Sequence, residues 1–110
     1  MIAMLKGIIW DIESDKIILN VNGVGYQLYV PFGCLKDLSQ GEKKTFHTHL
    51  VVREDDLVLY GFNSLDEKKL FTLLLGISGV GPKAALSVLS TFSPNQIKQA
   101  ILAEDVAFLT

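Results

Sequence analysis

Apolar residues recur at every second position along the first part of the chain and at helical spacing along the rest. Ile2, Met4, Ile8, Trp10 and Ile12 share one parity, interrupted by Lys6. Ile17, Leu19 and Val21 form a second alternating set, and Val24, Tyr26, Leu28 and Val30 a third. Alternation turns one face of a strand toward a core, so these sets are the expected inward faces of three strands. Between the second and third lies Asn22-Gly23, the strongest short hairpin signal because both positions tolerate positive φ. Glu13-Ser14-Asp15 separates the first two runs and Pro31 ends the third. A longer strand is expected over Lys44–Arg53, followed by the acidic run Glu54-Asp55-Asp56 and a last strand over Leu57–Phe62. About five short strands in some 60 residues predict a small closed barrel, which removes exposed edges; the OB type fits best.

After Phe62 the alternation stops. Ser64-Leu65-Asp66-Glu67 reads as a capping box opening a helix from about Leu65 to Gly76. A second helix is expected to start at Pro82, whose missing N–H costs nothing at the first helical position. Its apolar stripe is Ala85, Val88, Leu89 and Phe92. Ser93-Pro94-Asn95-Gln96 repeats the capping logic and opens a third helix that buries Ile97, Ala100 and Ile101. Asp105–Leu109 has the look of a fourth helix. The expected architecture is therefore mixed β then α, a barrel over 1–62 and a helical domain over 63–110, with no linker between them.

The chain has 110 residues, with 49% hydrophobic and 20% charged, which excludes a disordered polypeptide. Its formal charge is −2, so no strong basic field advertises a polyanionic partner. Residues 1–62 carry six Lys/Arg against eight Asp/Glu, and residues 63–110 carry four of each. Any nucleic-acid affinity must then come from local placement of donors. A mean hydropathy of +0.35 is high for a small domain and points to apolar surface covered by a partner. The lone Cys34 excludes an intrachain disulfide and a Cys-rich zinc site, and in an apolar-flanked loop it reads as a small hydrophobe. The charge-free stretches Leu70–Pro82 and Ala84–Ile97 are too short to span a membrane, and Lys6 breaks any signal-peptide layout. An intracellular, cytoplasmic protein is expected.

The densest chemistry lies in Gly76-Ile77-Ser78-Gly79-Val80-Gly81-Pro82-Lys83. Gly79 and Gly81 allow a tight turn and close approach to another surface. A helix follows at once, so its free N–H groups and positive dipole end face whatever lies there. Lys83 adds a cation and Val80 anchors the turn in the helical core. Together they suit a nucleic-acid phosphate; the bland alternative is a plain helix–helix turn. The acidic run Glu54-Asp55-Asp56 after Arg53 reads as a solvated polar turn, as a nuclease-type metal site lacking further ligands, or as a device that repels phosphates. His47 and His49 share one strand face, but a metal pair lacks a third ligand, which favours packing or surface roles. Trp10, Tyr26 and Tyr29 are candidates for base stacking in an OB groove, with barrel packing the favoured role. No metal or cofactor site is assigned.

Four segments in register resemble one family: Asn22-Gly23-Val24-Gly25-Tyr26, His49-Leu50-Val51-Val52-Arg53-Glu54-Asp55, Leu59-Tyr60-Gly61-Phe62 and Gly79-Val80-Gly81-Pro82-Lys83. They are similar to the RuvA family of Holliday-junction-binding subunits, along essentially the whole chain. The resemblance implies an OB-fold domain followed by a helix-hairpin-helix domain, a homotetramer and an open, square four-way junction held on it. It implies that Gly79, Val80, Gly81 and Lys83 grip duplex phosphates without reading bases. It also implies that Glu54 and Asp55 form an acidic pin at the crossover, whereas Asp56 is an extra acid. Family members carry a second hairpin and a further small domain that contacts the RuvB motor, and they work with the RuvC resolvase. The chain is expected to be a fragment, binding junctions weakly and not stimulating RuvB. The rivals are a base-excision glycosylase, which needs a catalytic Asp or Lys and a pocket, and a protein-interaction module that uses barrel and hairpin only to oligomerise.

Overall fold

Five strands, β1 (Met4–Ile12), β2 (Lys16–Val21), β3 (Val24–Tyr29), β4 (Lys43–Val52) and β5 (Leu57–Phe62), close into a barrel in the order β1-β2-β3-β5-β4. This computed structural model describes residues 1–103. Directions cannot alternate all the way round a ring with an odd number of strands, so at least one seam must be parallel. That seam is β3·β5, where Leu28 pairs with Leu59 and Tyr29 with Tyr60; the other four are antiparallel. The β2–β3 hairpin turns at Asn22 and Gly23, with φ of 52° and 92°, and the Asn20 carboxamide accepts from the Gly23 N–H at 2.8 Å. A short helix, α1 (Phe32–Leu35), follows Pro31 and plugs Cys34 and Leu35 into the core. It escapes notice in the sequence because four residues are too few for a helical period.

Ile9, Ile17, Leu19, Leu28, Val30 and Phe46 fill the barrel. Thr48 is a buried polar residue that keeps its partners: its hydroxyl donates to the Ile2 carbonyl at 2.6 Å and its N–H to Ala3 at 2.9 Å.

The inward face of β1 is not the one its alternation indicates. Leu5 and Ile9 face the core, while Met4, Ile8 and Trp10 are exposed, Trp10 at 61%. The register then shifts between Ile9 and Asp11, and this β-bulge returns Ile12 to the core side. Met4, Ile8 and Trp10 therefore decorate the outer wall. Barrel packing is accordingly the wrong role for Trp10, whereas Tyr26 and Tyr29 are half-buried. Val24 is likewise exposed, at the mouth beside the turn.

The chain divides between Ser64 and Leu65 into two units. Among the described residues the second holds α2 (Leu65–Leu75), α3 (Pro82–Thr91) and α4 (Pro94–Leu102). Leu70, Phe71 and Leu74 from α2, Ala85 and Val88 from α3 and Ile97 from α4 are buried. Leu89, Phe92, Ala100 and Ile101 are half-buried. The capping box on α4 is complete: the Gln96 N–H donates to Ser93 Oγ at 3.2 Å and the Ser93 N–H to Gln96 Oε1 at 2.9 Å. Lys98 Nζ meets Asp66 Oδ2 at 3.0 Å, an exposed pair between α4 and α2. The expected helix at Asp105–Leu109 lies outside the described residues. Among the described residues no helix is long and apolar enough to cross a membrane.

Candidate nucleic-acid interface

The segment between α2 and α3 is a chain of tight turns. The N–H groups of Gly76, Ile77 and Val80 donate to the carbonyls of Leu73, Leu74 and Ile77, each at 3.1 Å. Gly79 has φ of 86°, a left-handed conformation that residues with a Cβ rarely adopt. Val80 is buried and pins the turn to the helical core. Gly81 is extended, at φ −92° and ψ 179°, and is the N-cap of α3. Its conformation suits any residue; what its missing side chain leaves is open space, since nothing lies within 4 Å of a Cβ placed there.

The first intrahelical bond of α3 runs from the Ala85 N–H to the Gly81 carbonyl at 3.0 Å. Pro82 has no N–H to offer, and Gly81 has no side chain with which to cap. The Lys83 and Ala84 N–H groups therefore point out of the helix start without an intrahelical acceptor. Lys83 is exposed beside them. Two main-chain donors, the positive end of a ten-residue helix and a mobile ammonium thus converge on one open surface. The arrangement is chemically suited to an anion, and open space surrounds Gly79 and Gly81 beside it.

On the barrel, Arg53-Glu54-Asp55-Asp56 forms the turn between β4 and β5. The Arg53 N–H donates to the Asp56 carbonyl at 2.9 Å, and the Asp56 carboxylate accepts from the Leu57 N–H at 2.8 Å. Asp56 is therefore a turn residue occupied with its own backbone, a local role that its place in an acidic run conceals. Glu54 and Asp55 are exposed. Behind the turn, Tyr60 is buried, and burial raises its pKa above the ordinary 10.0; the Arg53 charge opposes this, while Tyr29 and Asp56 add to it. Tyr60 and Tyr29 are tilted neighbours with ring centroids 5.9 Å apart, and the Lys16 ammonium lies 5.4 Å from the Tyr29 centroid. His47 and His49 pair across the sheet with Phe62 and Tyr60. Among the described residues no three His, Cys, Asp or Glu side chains gather into a metal-binding group.

The six expected site residues thus fall at two places. Gly79, Val80, Gly81 and Lys83 are brought together at the start of α3, and Glu54 and Asp55 at the tip of the β4–β5 hairpin. These places belong to different units.

A five-stranded OB-type barrel followed by a glycine-turned helix pair defines the class: an OB-fold domain joined to a helix-hairpin-helix domain. Residues 1–61 match the family model described as RuvA N terminal domain. Residues 71–110 match the SAM-like helix-hairpin-helix tandem. The chain belongs to the RuvA family.

Curated relatives agree with this. The chain is 43% identical over 110 residues to the Holliday junction branch migration complex subunit RuvA of Alkaliphilus oremlandii, covering 100% of this chain and 57% of the relative. It is 46% identical over 106 residues to the protein of that name from Acinetobacter baumannii strain AYE, covering 96% and 53%. It is also 46% identical over 110 residues to that of Pelobacter propionicus, covering 100% and 56%. The chain thus spans little more than half the length of these relatives.

Proposed function

We propose that this chain is a non-catalytic DNA-binding scaffold that holds four-way junctions for branch migration in recombination and repair. The observation that carries the reading is the open start of α3, a cluster of main-chain donors with Lys83 beside it, in a chain whose curated relatives are junction branch migration subunits. Main-chain N–H groups and a lysine address phosphates and carry no sequence information, so recognition is of DNA shape. Gly79 and Gly81 bring a duplex arm close, Val80 holds the turn rigid, and Lys83 adds charge. Glu54 and Asp55 act in the opposite sense, as an acidic pin that turns phosphates away from the crossover.

The functional unit in this reading is a homotetramer, which places four pins around one crossover and one phosphate grip on each arm. Its partners are the RuvB motor and the RuvC resolvase, its compartment is the cytoplasm, and it needs no cofactor.

The test is a gel shift on a four-way junction and on linear duplex of equal mass, at low and moderate salt. Preference for the junction that weakens as salt rises is the expected result. Equal affinity for the two DNAs, or salt-independent binding, would sink the reading.

A further inference from the structure

The inward row of β4 and β5 runs past the end of the barrel core. Phe46 and Thr48 are fully buried, Leu50 is half-buried and Leu59 packs against the core. The next pair in the same row, Val52 and its cross-strand partner Leu57, is 65% and 66% exposed. Two aliphatic side chains therefore stand together, uncovered, directly beneath the acidic turn.

We propose that the Val52–Leu57 pair is a nucleobase contact, a wedge against which an unpaired base at the junction crossover packs. Taken by itself, the pair is too small to seat a protein partner. Two such residues, two-thirds exposed, offer on the order of 200 Å² together. A stable protein interface needs about 800 Å² from each partner. One base laid across both side chains is an occupant of that smaller order, and aliphatic side chains do insert at opened base steps in DNA-bending proteins. Charge supports the same occupant. Glu54 and Asp55 sit at the tip just above the pair, so a phosphate is repelled there while the neutral face of a base is not. The pin then has two parts with separate work: carboxylates that keep the backbone off, and an apolar shoulder that accepts the base this leaves unpaired.

The inference rests on the junction-binding reading, and the experiment separates the two. A four-way junction carrying 2-aminopurine at the crossover is titrated with this chain, and fluorescence is read alongside a gel-shift affinity. The wild-type chain is expected to raise the fluorescence by about twofold or more as the base leaves the stack. Val52→Ser combined with Leu57→Ser should cut that rise to less than about half, with affinity changed by no more than about threefold, because contact with the pair only offsets the unstacking. Leu57→Met, which keeps an apolar surface, should retain the rise. An unchanged thermal midpoint checks that these exposed substitutions leave the fold intact. Fluorescence that rises equally in the doubly substituted chain overturns the inference. So does a loss of self-association by sedimentation with the rise intact, which would make the pair a contact between copies. Junction binding by the wild-type chain with no rise overturns the inference alone. Failure of that chain to prefer junction over duplex removes the functional reading beneath it.

Discussion

The carbonyl oxygen of Asn20 on β2 lies so close to the Cα of Gly7 on β1 that no Cβ fits between them. The obstacle is backbone, held by the β1·β2 ladder at Ile8↔Asn20, and cannot swing aside as a side chain could. Gly7→Ala should therefore destabilise the barrel by about 1–3 kcal/mol, the usual cost of overpacking. Urea unfolding should show a lower midpoint at unchanged slope.

At the start of α3, affinity and stability should separate. Lys83→Ala removes an exposed charge, so stability should move by less than about 0.5 kcal/mol. Binding to junction and duplex should weaken alike, and the salt slope should fall by about 1. Gly79→Ala should also lower stability, by about 1 kcal/mol, because alanine must adopt the left-handed conformation there. Titrations at several salt concentrations, paired with melting curves, check both.

The acidic turn should behave in the opposite sense. Glu54→Ala with Asp55→Ala is expected to preserve or tighten junction binding, since it removes repulsion. Loss of binding would count against exclusion as the role of these carboxylates. Asp56→Ala should instead cost about 0.5–1 kcal/mol of stability through the lost bond to the Leu57 N–H. Asp56→Asn, which keeps an acceptor oxygen, should cost less.

Tyr60 makes an alkaline prediction. Its pKa is raised in the folded chain, chiefly by burial, so the unfolded chain loses this proton first as pH climbs. Above the ordinary tyrosine value of 10.0 the folded state binds more protons than the unfolded one, and stability falls as pH rises through the folded pKa. Below 10.0 the contribution is fully present. Unfolding curves across this range should be steeper in pH for the wild-type chain than for Tyr60→Phe.

The contrast between β1 and its neighbours explains what hydropathy can convey. Ile17 and Leu19 alternate with half-buried residues, Asn22-Gly23 marks the turn, and Leu57–Phe62 is bounded by acids and Asn63, so these elements are visible in the residues alone. On β1 the inward row includes Gly7, which has no hydropathy signal, while the outer wall carries Met4, Ile8 and Trp10. The even row therefore outscores the true one, and the bulge after Ile9 returns Ile12 to the core side as if the even row had been inward throughout. Val52 and Leu57 continue the alternation of the core row although the barrel beneath them has ended. The candidate site was more legible than the barrel faces because Gly79, Gly81, Pro82 and Lys83 are contiguous, so their chemistry depends on local geometry. The local engagement of Asp56 was hidden because three adjacent acids look alike until the turn assigns their backbone partners.

The parallel seam also governs how the barrel comes apart. The four antiparallel seams carry four to six register pairs each, while β3·β5 carries only Leu28↔Leu59 and Tyr29↔Tyr60. It also joins segments distant in sequence, across α1 and all of β4. The β1·β4 seam closes a longer loop still, but it spreads that cost over five register pairs where β3·β5 has two. The ring is in effect a five-stranded ribbon fastened by one short clasp. Amide exchange should release first along that clasp, and the β2–β3 hairpin should still be protected when it has opened.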